Sequence, residues 1–298
     1  MSGAVKAGPS GVPEDSRDDE LAPETDDDAA VSILTYGDPI RSLARLMKPI
    51  ADEYRIHFDD DGLTARAVDP ANVGMVDLHA PAEGFDQYEL RDGHTFGLNL
   101  DRFRDAVGWA RKRGGDGDPV AIDVFRDPAR MRVTVVREDQ QMKRETEWFG
   151  ITPSDIRDEP TIPDLDLPLT ARPGVAPLRE AVKAIRSTEE MAYVTCDDDT
   201  FLLASTEDGR VELAEDDDEN AAQTISFPNA VTSDDTDARS SAFSLDYLDD
   251  ITLALDKAKA DRVTVRWSEE FPTRLKFEHD DWGFEGEYML APRIQSED

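Results

Sequence analysis

Asp38-Pro39-Ile40-Arg41-Ser42-Leu43-Ala44-Arg45-Leu46-Met47-Lys48 is echoed 138 positions later by Ala176-Pro177-Leu178-Arg179-Glu180-Ala181-Val182-Lys183-Ala184-Ile185-Arg186. Pro falls on Pro, base on base three times and apolar on apolar. The same offset continues without a gap: Tyr54 to Phe58 lies over Ala192 to Cys196, and Asp59-Asp60-Asp61 over Asp197-Asp198-Asp199. A second match, at an offset of 145, sets Asn99-Leu100-Asp101-Arg102-Phe103-Arg104-Asp105 against Ser244-Leu245-Asp246-Tyr247-Leu248-Asp249-Asp250. Strand-like Val120 to Val124 and Val263 to Trp267 follow in the same order. Four segments kept in sequence mark a duplication.

Each half reads helix, strands, helix, strands, which predicts an α+β fold of two similar domains, each with two helices packed on antiparallel sheets. The first helix carries Pro in its first turn and an apolar face of Ile40, Leu43, Met47 and Ile50 at helical spacing. Asn99 and Ser244 stand as N-caps, each with an Asp two residues on to suit the helix dipole. The triple Asp before Gly62 reads as a turn between strands. Pro153, Pro160, Pro163 and Pro168 exclude regular structure between the halves. The expected organisation is an acidic disordered tail over 1–29, a first domain over 30–151, a connector over 152–170 and a second domain over 171–298.

The 298 residues include 67 acids and 33 bases, a net charge of -34, yet 39% are apolar, so most of the chain folds. Asp outnumbers Glu 44 to 23 and Arg outnumbers Lys 25 to 8. Short hydrated carboxylates with few ammonium stems suit a surface in concentrated salt, where a Debye length of about 3 Å screens self-repulsion. The one cysteine, Cys196, excludes an internal disulfide framework and fits a reducing compartment. Met1 to Ala30 has nine acids, two bases and no apolar core of a signal peptide. No apolar run nears the roughly 20 residues of a membrane span, so a cytoplasmic protein with no membrane partner is expected.

Phosphate-loop, zinc-protease, Cys-x-x-Cys and Gly-x-Ser-x-Gly motifs are absent, and His57, His79, His94 and His279 are scattered. Neither an enzyme nor a metal or other cofactor is expected. Asp59 to Asp61 lacks the alternating ligands of a calcium loop. Cys196, within a strand, reads as a small core residue. The bases say more. Arg41, Arg45 and Lys48 stand at i, i+4, i+7, as do Arg179, Lys183 and Arg186, making one positive stripe per helix. Two readings remain open: a helix surface balanced by neighbouring acids, or a sequence-independent seat for a polyanion backbone. Arg111 and Lys112, after the second helix, and Lys257, ending the last one, would extend the second.

Ala67-Val68-Asp69-Pro70-Ala71-Asn72-Val73-Gly74-Met75-Val76-Asp77-Leu78, with Glu83-Gly84-Phe85-Asp86-Gln87-Tyr88, resembles the first-domain signature of the archaeal and eukaryotic sliding clamp, proliferating cell nuclear antigen. Tyr288-Met289-Leu290-Ala291-Pro292-Arg293-Ile294 resembles its closing motif, and the resemblance spans about residues 31 to 298. It implies a DNA-clamp fold and a homotrimeric ring of six domains around duplex DNA. Clients such as DNA polymerase, clamp loader, flap nuclease and ligase dock through short apolar peptides. By resemblance their pocket has walls from Val68, Val73, Met75, Pro272, Met289, Ala291 and Pro292, completed by Leu165, Leu167 and the chain at Ile294. Subunits would pair through the edge containing Trp148 and the edge containing Arg210, Val211 and Leu213. The acidic last helix departs from the family, which leaves an alternative: a clamp-fold interaction scaffold that does not encircle DNA.

Overall fold

The computed structural model describes residues 22–110, 117–207, 209, 222–235, 237, 239–279 and 281–293. The first half runs β1 (Val31–Tyr36), α1 (Gly37–Met47), β2 (Glu53–Asp59), β3 (Gly62–Val68), β4 (Gly74–Pro81), β5 (Gln87–Leu90), β6 (His94–Asn99), α2 (Leu100–Gly108), β7 (Pro119–Arg126), β8 (Ala129–Arg137) and β9 (Met142–Phe149). The second runs β10 (Leu169–Ala171), α3 (Val175–Arg186), β11 (Met191–Asp197), β12 (Thr200–Ala204), β13 (Thr224–Phe227), β14 (Ser241–Ser244), α4 (Leu245–Lys257), β15 (Val263–Trp267), β16 (Thr273–Glu278) and β17 (Glu285–Leu290). The repeat is thus a repeat of elements, and the chain adopts the expected α+β arrangement of two similar halves.

Alternation places the core. In β2, Tyr54, Ile56 and Phe58 point inward while Arg55 and His57 point out; in β4, Val76, Leu78 and Ala80 do the same. Ile40, Leu43 and Met47 of α1 are buried in the same core. Two tyrosines staple helix to sheet: the hydroxyl of Tyr54 donates to the Met47 carbonyl, and that of Tyr288, from the second half, to the Leu46 carbonyl. Gly62, at φ +135°, closes the β2–β3 turn where an added Cβ would meet the Ala80 carbonyl at 2.2 Å.

Three antiparallel sheets result, in the orders β5-β1-β7-β8-β9, β10-β15-β16-β17-β4-β3-β2-β6 and β13-β12-β11-β14. The second crosses from one half to the other. Tyr288 pairs with Val76 and Met289 with Met75, so β17 and β4 weld the domains into one continuous sheet. β17 occupies in its half the place that β9 occupies in the first, and β4 the place of β13. Among the described residues, β9 and β13 are outer strands of their sheets.

Several expectations change in detail. Ile50 is buried, but α1 ends at Met47 and Pro49 lies beyond it. Asn99 caps α2 by accepting the amide of Arg102 at 3.0 Å, whereas Ser244 makes no such side-chain bond. The end of the acidic segment is tied down: Asp26 accepts from Arg132 at 2.8 Å, and its amide donates to the buried Asp123 at 2.9 Å. Residues 169 and 170, expected in the connector, already belong to β10.

Candidate nucleic-acid interface and partner pocket

The helices lie side by side in the order α2, α1, α4, α3, so the domain junction runs between α1 and α4. Arg45, Lys48, Arg104 and Lys257 line a cleft of about 400 Å³ there, with Pro49, Leu253 and Ala254 as apolar floor and Asp250 as the one acid. Arg104 was not singled out from the sequence. It lay within the second repeat match, where its counterpart Asp249 conceals it.

The two stripes exist, but their bases are engaged. Arg186 holds Asp246 and Asp249, each at 2.8 Å, and Arg179 holds Asp256 at 3.1 Å. Lys183 meets Glu180 at 3.1 Å; Lys48 meets Asp52 and, at 3.5 Å, Asp101. Arg45 donates to the Lys257 carbonyl at 2.8 Å, at the negative end of α4. Burial, then Arg41 nearby, pulls the Arg45 guanidinium below its usual range, while hydrogen bonding to Asp246 raises that of Arg186. Arg41 corrects an expectation. Its side chain is 17% exposed and is spent on Asp38 and on the Gly37 and Ala110 carbonyls, so it packs between helices more than it faces outward. Ion pairs at the surface are weak and are screened by salt, so the exposed bases among these stay able to exchange partners. Arg111 and Lys112 lie outside the described residues.

The opposite face of the shared sheet carries the other site. Register puts Val68, Met75, Met289, Arg274 and Arg266 in one cross-strand row. Its arginines hold the connector across the sheet: Arg274 donates to the Pro163 carbonyl and Arg266 to that of Leu167 at 3.0 Å. At the far end Arg55 donates to Pro153 (2.7 Å) and Ile156 (2.6 Å), and His57 meets Glu159 at 2.7 Å. Val73 accepts the amide of Ala291 at 2.8 Å, which fixes the closing segment with Pro292. Leu165, Val68, Val73, Met75, Pro272, Ala291 and Pro292 are partly exposed, whereas Leu167 and Met289, also expected as pocket walls, are buried and present little surface. Ile294 lies outside the described residues. Phe271, beside Pro272 between β15 and β16, is exposed and adds an apolar side chain that the family motifs do not mark.

β9 is the edge expected to carry Trp148 into the subunit contact. Trp148 is 7% exposed and joins the core, while its neighbour Phe149 is 70% exposed and Met142 is exposed at the other end. Strand alternation makes this obligatory once one of the pair faces inward. Arg210, Val211 and Leu213 lie outside the described residues. Burial raises the thiol pKa of Cys196. Among the described residues no group of three His, Cys, Asp or Glu could hold a metal, and no helix is long and apolar enough to cross a membrane.

Comparison with known proteins gives this geometry a family. The model for proliferating cell nuclear antigen, N-terminal domain, matches residues 37–148. A DNA polymerase sliding clamp of Natronomonas pharaonis is 35% identical over 274 residues, covering 90% of this chain and 99% of the relative. One of Halobacterium salinarum is 34% identical over 268 residues, covering 88% and 98%. The solved complex of the C-terminal region of FEN-1 bound to A. fulgidus PCNA superimposes with a TM-score of 0.74 at 26% identity, covering 90% of this chain and all of that one. The chain therefore belongs to the family of DNA polymerase sliding clamps, the proliferating cell nuclear antigens.

Proposed function

We propose that three copies of this chain close into a ring around duplex DNA and tether DNA polymerase, clamp loader, flap nuclease and ligase by short apolar peptides. The observation that carries this reading is the β17–β4 junction: the same pairing between β9 of one copy and β13 of the next continues the sheet head to tail. That repetition leaves the four helices of every copy on one side of the sheet. Arg45, Arg104, Lys183, Arg186 and Lys257, which are exposed, and the half-buried Lys48 are the bases offered for sequence-independent contact with phosphates. Encirclement makes high affinity unnecessary, which suits a surface whose bases have acid partners. On the outside, the half-buried Met75, Val68 and Pro272 and the exposed Phe271 offer an apolar seat whose grip salt does not screen. The protein holds and does not transform, and its place is the cytoplasm.

The acids of α4 favour one second reading, a clamp-fold scaffold that does not encircle DNA. Polymerase extension on primed circular DNA, with loader in high potassium salt, separates the two. Longer products only when this protein is present support the clamp; unchanged product length sinks it.

A further inference from the structure

The segment 69–74, from the end of β3 to the first residue of β4, is held by three other parts of the chain. Asp69 is 4% exposed, and its carboxylate accepts the amides of Ala71 at 2.8 Å, Val73 at 2.7 Å and Gly74 at 2.6 Å. The fourth donor comes from the other domain: the hydroxyl of Tyr247, on α4, lies 2.7 Å from Asp69 Oδ2. The Tyr247 ring also abuts the loop backbone, since a Cβ added to Gly74 would come 3.0 Å from its Cε1 and 2.9 Å from Ile50 Cδ1. From the connector, Arg157 donates to the Asp69 carbonyl at 3.0 Å and to Asn72 Oδ1 at 2.6 Å. From the closing segment, the Ala291 amide donates to the Val73 carbonyl at 2.8 Å.

This loop contains Val73 and is flanked by Val68 and Met75, three walls of the partner pocket. Asn72 sits at φ 58°, in the left-handed region that asparagine adopts more readily than other side-chain-bearing residues, and Arg157 holds its side chain there. The loop is shaped by its own amides around Asp69 and by its attachments to α4, the connector and the closing segment. A buried carboxylate that loses one donor must find another or draw in water, and either response moves the amides wrapped around it.

We propose that Tyr247 is a positioning residue for the partner pocket: from the helix layer, across the domain junction, its bond to Asp69 sets the 69–74 loop and with it the affinity for partner peptides. The inference rests on the pocket proposed above. It also joins the two faces of the molecule, because whatever shifts α4 shifts peptide affinity, and by linkage peptide binding shifts α4 in return.

The test uses the full-length protein and a fluorescein-labelled synthetic peptide copying the C-terminal region of the FEN-1 nuclease, with binding read by anisotropy at constant high KCl. Tyr247→Phe removes only the hydroxyl. Thr252→Val is the control, because the buried Thr252 hydroxyl donates to Leu248 within the same helix and touches no part of the loop. The expected result is about tenfold weaker peptide binding by Tyr247→Phe and unchanged binding by Thr252→Val. Hydrogen exchange at the Val73 and Gly74 amides should accelerate in Tyr247→Phe alone. Equal affinity of wild type and Tyr247→Phe, or equal weakening by both variants, overturns the inference and leaves the pocket standing. Failure of the wild type to bind the peptide removes the pocket and the inference together.

Discussion

Asp69 shows how one side chain can be legible as a letter and illegible as a role. Burial pushes its carboxyl pKa up, but the Gly74 amide, the Tyr247 hydroxyl and the Ala71 and Val73 amides outweigh burial and hold it below the ordinary 3.8. A depressed folded pKa gives stability that is complete above the unfolded value and lost as pH falls through the folded one. Asp69→Asn should therefore destabilise the protein by about 2 kcal/mol near pH 6, and its deficit against wild type should shrink as pH drops below 3.8. Denaturant unfolding at pH 6 and pH 3, in constant salt, reads this; a deficit that stays constant or grows on acidification contradicts it. Arg132 plays a comparable part at the edge of the first domain. It holds the buried Asp123 at 2.8 Å together with Asp26, a charged cluster that secures the chain just before β1.

At the scale of the element, α4 is the acidic member of the helix layer proposed to face DNA. Its outer turns carry Asp246, Asp249 and Asp250, and burial, then Asp249, raises the carboxyl pKa of Asp250. The first two hold Arg186 of α3, so the positive stripe of one helix is answered by the negative stripe of its neighbour. Substituting Asp246→Asn together with Asp249→Asn should free Arg186, strengthen binding to a short duplex and steepen the plot of log K against log salt by roughly one unit. Anisotropy titrations across a KCl series measure both. An unchanged slope means that Arg186 stays clear of the phosphates.

For the whole molecule, the charge of -34 works against assembly, since three chains of equal sign must meet edge to edge. The Debye length grows from about 3 Å at 1 M salt to about 10 Å at 0.1 M, so repulsion reaches across the interface as salt is withdrawn. The trimer should dissociate progressively on dilution of KCl at fixed protein concentration. Sedimentation velocity across the series follows this, and a trimer equally firm in dilute buffer would show that strand pairing and the exposed Phe149 outweigh the charge. The N-terminal acids up to residue 21 add to that charge whatever their conformation.

By itself the sequence determined the duplication, the helices, most strand positions and the turns, because these rest on local physics: periodicity, caps and the freedom of glycine. It also carried the family motifs around Asp69 and Tyr288. Only the tertiary structure decided which face of each element is covered and by what. Trp148 and Phe149 are neighbours whose alternation was plain, yet nothing local says which one turns inward. Leu165 and Leu167, two apart and so on one side of an extended segment, still differ, because Leu167 is covered and Leu165 is not. The six bases of the matched stripes were readable one by one, but Arg186 finds its acids 60 and 63 residues away and Arg179 finds Asp256 at a separation of 77. Tyr247 reaches Asp69 across 178 residues. Local patterns fix the element, and long-range pairing fixes what each side chain is free to do.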